Sequence, residues 1–293
     1  MDGRRLVTWD DGIDPPAPRM TAGAWLRVAL RGTALAMLVF GGLLLLILLR
    51  LVERPLFGLR RPVTPWITQG VCKGAFVIIG LRREVQGAVM RGTGAVVANH
   101  SSWLDIFALN ASKRIYFVSK SEVAAWPGIG WLARATGTVF IRRDPRDARQ
   151  QKAVFEERLR VGHRLLFFPE GTSTDGLRVL PFKTTLFAAF FSDGLPDMQV
   201  QPVTLAYHAP PGEPATFYGW WGGQGFGEHL LRMLAAPRHG RVEVIYHPPL
   251  RVADHGDRKA LARAAERAVR DGMRESGLLA TGEGPAPRDP RTI

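Results

Sequence analysis

The sequence predicts an α/β domain with a mostly parallel sheet flanked by helices, preceded by a hydrophobic membrane helix. Three observations carry this. From Thr93 onward, short apolar runs alternate with helical stretches, the pattern of a parallel sheet covered by helices. Before that, residues 32–49 carry no charge and include the unbroken run Leu43-Leu44-Leu45-Leu46-Ile47-Leu48-Leu49. The chain has 293 residues, 46% of them hydrophobic, which suits one sizeable core plus an extra segment.

In chain order, residues 1–22 are polar, with Asp10-Asp11 and a cluster at Pro15, Pro16 and Pro18, and read as a mobile tail. Residues 23–82 form the membrane-anchoring part. At about 1.5 Å per residue the uncharged run reaches roughly 30 Å, the thickness of a bilayer core. Arg27 and Arg31 flank one end, and Arg50 and Arg54 the other. A cleaved signal peptide fits poorly, because the run is too long, starts late and lacks a clear small-residue cleavage site. A buried core helix fits less well than an anchor, because the run is apolar on every side. Residues 63–81 are apolar but interrupted by Gln69 and Lys73. They re-enter the membrane, lie at its interface or begin the soluble domain. With arginines at both ends of the first run, charge does not fix its orientation.

Residues 83–280 form the α/β domain. Strands are expected at 95–98, 114–118, 138–142, 164–168, 201–207 and 241–246, and helices at 103–111, 121–136, 146–161, 184–191 and 257–277. Residues 281–293 are rich in Pro and Gly and read as a disordered tail.

The formal net charge is +13, mostly from arginine. Biased composition, nucleic-acid binding and attraction to anionic lipid all produce such an excess. No helix-turn-helix, zinc-finger or RNA-binding aromatic signature is present, so nucleic acid is not expected as a partner. The single cysteine, Cys72, excludes an internal disulfide and a cysteine-based zinc site, and reads as a small buried apolar residue. Gly128-Ile129-Gly130-Trp131-Leu132-Ala133 has the spacing of a dinucleotide loop but follows Pro127 rather than a strand. There is no G-x-S-x-G elbow, H-E-x-x-H or P-loop.

Three constellations carry chemistry. Asn99-His100-Ser101-Ser102-Trp103-Leu104-Asp105 follows a short strand and opens a helix, where α/β sheets bind ligands. Ser101 or Ser102 can cap that helix. Asp105 in its first turn can fold back onto the Nδ1–H of His100, which leaves Nε2 to take a proton from a hydroxyl. Spacing alone favours a plainer arrangement, a capped helix with a buried histidine and a solvated aspartate. Phe168-Pro169-Glu170-Gly171-Thr172 follows an apolar strand and suits a loop that approaches a ligand with its backbone, or a simple glycine turn. Gly137-Thr138-Val139-Phe140-Ile141-Arg142-Arg143 ends a strand in two arginines that can grip a phosphate or carboxylate, or simply lie in water.

Taken in order, these blocks resemble the lysophospholipid acyltransferase family, whose bacterial type member acylates 1-acylglycerol 3-phosphate. N-H-x-x-x-x-D is met by Asn99, His100 and Asp105, and G-x-x-F-I-x-R by Gly137, Phe140, Ile141 and Arg143. F-P-E-G-T is met by residues 168–172, and a V-P-V-like strand in part by Gln201-Pro202-Val203. The resemblance covers roughly residues 92–207 and implies a glycerophosphate-acyltransferase-like fold. It implies that His100 is the general base on the acceptor hydroxyl and Asp105 its orienting partner. It implies that Glu170, Gly171, Thr172 and Ser173 bind the acceptor or shape its loop, and that Arg142 or Arg143 contacts an anion.

No cofactor, metal or covalent acyl-enzyme is implied, since a thioester is already activated and one base with a polarised carbonyl suffices. The implied donor is acyl-carrier protein or acyl-CoA, and the acceptor a lysolipid. The implied setting is the bacterial inner membrane, with the site facing the cytoplasm. The type enzyme carries Arg directly after F-P-E-G-T, whereas this chain has Ser173, which removes a bidentate phosphate contact. Residues 168–176, Pro181-Phe182-Lys183 and Ser102-Trp103-Leu104-Asp105 look more like the branch that acylates lyso-ornithine lipid, some of whose members also accept 1-acylglycerol 3-phosphate; a strict 1-acylglycerol-3-phosphate acyltransferase of phospholipid biosynthesis is the alternative within the family. Two other classes use the same residues differently. A thioesterase or lysolipid hydrolase would employ the His/Asp pair on water, and a lipid carrier would lack the pairing in space.

Overall fold

The computed structural model describes residues 9–12, 18, 20–92, 94–141, 148–191 and 198–280. Two helices come first, α1 (Ala22–Phe57) and α2 (Thr64–Ile79). The domain then runs β1 (Arg82–Gln86), β2 (Gly94–Ala98), α3 (Leu104–Ser112), β3 (Tyr116–Lys120), α4 (Ile129–Thr136), β4 (Val139–Ile141), α5 (Ala148–Arg160) and β5 (Leu165–Phe167). It ends with β6 (Gln199–His208), α6 (Phe226–Ala235), β7 (Arg241–Tyr246), β8 (Leu250–Arg251) and α7 (Arg258–Glu275).

The strands form one sheet in the order β1-β7-β6-β2-β5-β3-β4, with β8 pairing on β6. β6, β2, β5, β3 and β4 are mutually parallel; β7 and β8 pair antiparallel with β6, and β1 runs parallel to β7. The mixed, mostly parallel sheet agrees with the fold the sequence predicts. Alternation along β2 assigns its two faces. Val96 and Ala98 join one core with Leu104, Leu109 and Met233 of the helices on that side. Ala95 and Val97 join the other with Phe155 and Leu159 of α5 and Leu261, Ala265 and Val269 of α7. β2 is wholly buried, as a central parallel strand covered on both faces must be.

Several elements differ from the sequence expectation. β1 was not expected: its residues Arg82-Arg83-Glu84-Val85-Gln86 are charged and largely exposed, because it pairs only with β7 at the sheet edge. α6 was not expected either. The helix expected over residues 121–136 is instead a 3-10 turn at Ser121–Ala125 and the separate helix α4, since Pro127 between them has no N–H to continue one helix. The stretch 184–191 folds as a 3-10 turn at Leu186–Phe191.

Helix α1 starts where the Thr21 side chain accepts from the Ala24 N–H, and ends at Gly58 just after Pro55. At 36 residues it is long and apolar enough to cross a membrane by length and composition. One stripe faces inward, with Leu35 in a small cluster with Ala75 and Leu234. The rest is exposed, including Leu30, Met37, Phe40, Leu44, Leu48, Leu51 and Leu56. Both ends are fastened to the α/β domain or to its near neighbours. Arg27 donates to the Ala235 carbonyl at 2.8 Å, and Arg31 to the Leu234 and Ala236 carbonyls at 3.2 and 2.6 Å, so two cations sit on the C-terminal end of α6. At the far end the buried carboxylate of Glu53 accepts from the N–H groups of Val63 and Thr64, from the Thr64 hydroxyl and from Arg50. Arg61, in the turn between the helices, donates to the Ala135 carbonyl of α4 at 2.6 Å.

Candidate active site

β2 and β5 are neighbours in parallel register, with Ala95 opposite Leu165, so the loops after them emerge side by side at the same end of the sheet. These loops carry the first two sequence constellations, and the structure brings them together. The His100 Nδ1 lies 2.7 Å from Oδ2 of Asp105. The same oxygen accepts the N–H groups of Ser101 (2.7 Å) and Ser102 (3.0 Å), so Asp105 binds both the ring and the turn that precedes its helix. Asp105 is fully buried while the His100 side chain is 20% exposed, so the pair has a closed inner end and an open outer one. With Nδ1–H donating to the carboxylate, Nε2 is the ring atom left to accept a proton from a hydroxyl. The ring stacks on Phe168 at 4.0 Å and 9°.

Both backbone groups of His100 are held. Glu170 Oε1 accepts the His100 N–H at 2.7 Å, and Oε2 accepts the Leu180 N–H at 2.8 Å. The His100 carbonyl accepts from Thr174 N–H, and the Ser101 carbonyl from Trp220 N–H. Glu170 is 1% exposed, and burial pushes its carboxyl up to about 8; its two backbone hydrogen bonds oppose that shift, and the charge of Asp105 adds to it. Glu170 therefore grips the backbone of the histidine loop from inside the protein. Asn99 plays a matching part behind β2: its amide donates to the Leu205 carbonyl at 2.9 Å and accepts the Leu205 N–H at 2.8 Å, locking the start of the loop to β6.

The remaining expected residues fall as follows. Gly171, at φ +75°, turns the chain after Glu170. The Thr172 hydroxyl oxygen accepts the Trp9 N–H at 3.1 Å. Ser173 is 8% exposed, and its hydroxyl donates to the Trp220 carbonyl. The Ser102 hydroxyl accepts the Leu104 N–H at 3.2 Å, but the N-cap of α3 is Trp103, which makes no side-chain capping bond, so neither Ser101 nor Ser102 takes the capping position expected for them. Arg142 and Arg143 lie outside the described residues. β4, which leads to them, is parallel to β3, β5 and β2, so the chain leaves β4 at the same end of the sheet as the His100 loop. Among the described residues, no three His, Cys, Asp or Glu side chains group as a metal site.

Sequence reasoning missed three residues here. Tyr207, near the end of β6, is buried, and its hydroxyl interacts with Asp105; burial first, and then that carboxylate, push the phenol well above its ordinary range. Among the described residues, neither Oδ1 of Asp105 nor the Tyr207 hydroxyl makes a hydrogen bond of normal geometry, although both atoms are buried. Trp220 and Trp9 arrive from segments with no motif of their own. Trp103, inside the first motif, donates its indole N–H to His229 Nδ1 at 2.9 Å and so ties α3 to α6.

A parallel-centred sheet with a His/Asp pair and an F-P-E-G-T loop at its strand ends defines the class: the Acyltransferase family profile matches residues 82–206. Lyso-ornithine lipid O-acyltransferase from Rhodobacter capsulatus is 60% identical over 92% of this chain and 98% of its own length. The protein of the same name from Pseudomonas aeruginosa is 37% identical over 84% of this chain and 93% of its own. In fold, the chain is similar to the crystal structure of the 1-acyl-sn-glycerophosphate acyltransferase PlsC from Thermotoga maritima. The TM-score is 0.61 at 22% identity, covering 89% of this chain and 98% of that one. The chain belongs to the lysophospholipid acyltransferase family, in its lyso-ornithine lipid acyltransferase-like branch. It is an O-acyltransferase with a lysolipid acceptor.

Proposed function

We propose that this enzyme esterifies the hydroxyl of a lyso-ornithine lipid with a fatty acyl group taken from the thioester of acyl-carrier protein or CoA. The observation that carries the acceptor is the 60% identity over nearly the whole of both chains with a protein of that activity. Ser173 supports it. A branch that needed a guanidinium after F-P-E-G-T to hold a phosphate would not place there a serine buried against the Trp220 carbonyl.

In the proposed reaction, His100 Nε2 accepts the proton of the acceptor hydroxyl as its oxygen attacks the thioester carbonyl. Asp105 holds the ring and stabilises the imidazolium. The new C–O bond forms, the C–S bond breaks, and the thiolate leaves with the proton from His100. Glu170 keeps the His100 backbone in place. Gly171, Thr172 and Ser173 shape the acceptor side, and Arg142 or Arg143 contacts an anionic group of acceptor or donor.

The reading places the enzyme on the bacterial inner membrane, facing the cytoplasm where both donors are made. The form of attachment follows from chain connection. Trp9, before α1, and Arg61, after it, are both bonded to the α/β domain. An α1 that crossed the bilayer would put those two contacts on opposite sides. We therefore read the α1–α2 hairpin as embedded from one side, its exposed apolar face in the lipid.

The test is an assay of purified enzyme offered lyso-ornithine lipid and 1-acyl-sn-glycerol 3-phosphate separately, with labelled acyl thioesters. Labelled ornithine lipid is the expected product. Release of free fatty acid without ester would assign the site to hydrolysis, and ester formed only on the phosphate-bearing lipid would overturn the acceptor.

A further inference from the structure

The stretch 9–12, within the segment the sequence marks as a mobile tail, is packed against the candidate active site. Trp9 is 2% exposed. Its N–H donates to the Thr172 hydroxyl oxygen at 3.1 Å, and its carbonyl accepts from the Gly222 N–H at 3.0 Å. Its ring lies 4.2 Å beneath the Arg178 guanidinium, which is itself held by Asp175 through two nitrogens at 2.7–3.1 Å. Two residues on, the Asp11 carboxylate accepts the Trp221 indole N–H at 3.0 Å.

These contacts join two loops that are otherwise distant in sequence, residues 171–178 after β5 and residues 219–222 before α6. The loops already touch closely. A Cβ on Gly219 would stand 2.5 Å from the Asp175 carbonyl oxygen, so only glycine allows the approach. Gly222, at φ +62°, turns the chain toward Asp10. The same two loops then bond the residues around the histidine: Thr174 N–H to the His100 carbonyl, Trp220 N–H to the Ser101 carbonyl, and the Ser173 hydroxyl to the Trp220 carbonyl. Trp9 therefore stands one layer behind the groups that fix the outer wall of the site.

We propose that Trp9–Asp11 is a positioning strap that ties the 171–178 loop to the 219–222 segment and thereby sets the acceptor side of the active site. The inference rests on the acyltransferase reading, in which residues 171–173 shape the acceptor pocket. Its energetic centre is the buried Trp9 ring beneath Arg178, a cation–π pair whose guanidinium is part-buried and ion-paired with Asp175. In that reading residues 171–173 belong to the acceptor side, so loss of the strap affects acceptor binding more than donor binding.

The experiment uses full-length enzyme, Trp9→Ala and Trp9→Phe, with initial rates at varied lyso-ornithine lipid and at varied acyl thioester. Trp9→Ala is expected to raise KM for the acceptor by about fivefold, of the order a lost part-exposed cation–π contact gives. KM for the donor and sedimentation with anionic vesicles should stay within about twofold. Trp9→Phe, which keeps an aromatic face under Arg178, should restore most of the acceptor affinity. An acceptor KM unchanged in Trp9→Ala overturns the proposal. So does a parallel rise in both KM values with a fallen melting temperature and no rescue by phenylalanine, since that is general loosening. Wild-type enzyme with no transfer to either lysolipid would defeat the proposed function itself, independently of Trp9.

Discussion

At the scale of single residues, the site is a buried acid, a half-open base and a second buried acid that never reaches the opening. An alcohol attacks a thioester slowly at neutral pH unless a base takes its proton in the transition state, and a positioned imidazole supplies about 10²–10⁴-fold. His100→Ala should therefore lower transfer by about that factor while the melting temperature and vesicle binding stay near wild type. Asp105→Asn should also lower the rate heavily, because an amide can no longer stabilise the imidazolium. Ser102→Ala should change the rate little if its hydroxyl only accepts the Leu104 N–H; a loss as deep as that of His100→Ala would make it a nucleophile and sink the base mechanism.

Glu170 gives a separate, thermodynamic signature. Its carboxyl is raised from 4.5 to about 8 in the folded state, so between those values the native protein binds the proton that the unfolded chain releases. Its contribution is full below pH 4.5 and is lost as pH rises through 8. Glu170→Gln should flatten the fall of melting temperature with pH across that window, while lowering stability at acid pH because one backbone N–H then faces an amide nitrogen. An unchanged slope would mean that another group carries the dependence. The motif spacings made His100, Asp105 and Glu170 legible in the sequence, since each pair is local or follows a strand. Tyr207, Trp9 and Trp220 were not, because their neighbours come from segments up to 163 residues away and no spacing rule connects them.

At the scale of elements, legibility followed burial. β2, β5 and β6 are interior strands, apolar over most of their length, and the sequence marks them plainly. β1 is an edge strand with exposed arginines and glutamate, so its sequence carries no strand period at all. The α1–α2 hairpin shows why the apolar residues 63–81 read ambiguously: α2 lies between the apolar α1 and the domain helix α3, and it buries Cys72, Ala75, Phe76 and Ile79 while exposing Val77. The hairpin turn depends on Glu53, whose carboxylate closes the N-terminal end of α2 where Pro65 follows. Glu53→Ala leaves two backbone N–H groups, the Thr64 hydroxyl and Arg50 without that acceptor, at about 1–3 kcal/mol for each buried group that stays unpaired. It should lower the melting temperature and speed amide exchange over residues 58–68, with exchange in β2 and β6 unchanged. Thr64→Val, which loses one bond, should do less; equal effects would mean that the carboxylate contributes nothing beyond the hydroxyl contact.

At the scale of the whole molecule, two features pull in different directions, and chain connection decides between them. Composition makes α1 a helix that can cross a bilayer, about 54 Å long at 1.5 Å per residue. Its arginines argue otherwise. Arg27 and Arg31 sit on the end of α6 and Arg61 sits on α4, so both ends of α1 are held by the same α/β domain. The outward face of α1 then exposes large apolar side chains from Trp25 near one end to Phe57 at the other. Two consequences can be measured. An N-terminal tag should be cleaved by protease from the same face of sealed inverted vesicles as a loop of the α/β domain; protection of the tag while the domain is cut would restore a spanning helix. Leu44→Glu with Leu48→Glu, both on the exposed strip, should release the enzyme from vesicles. The same variant should keep its rate on lysolipid dispersed in detergent, because neither residue touches the His100 loop. If it instead lost the detergent rate while still binding vesicles, the strip would be packing against protein, and α1 would be a core helix of an assembly rather than the membrane-facing side of a single chain.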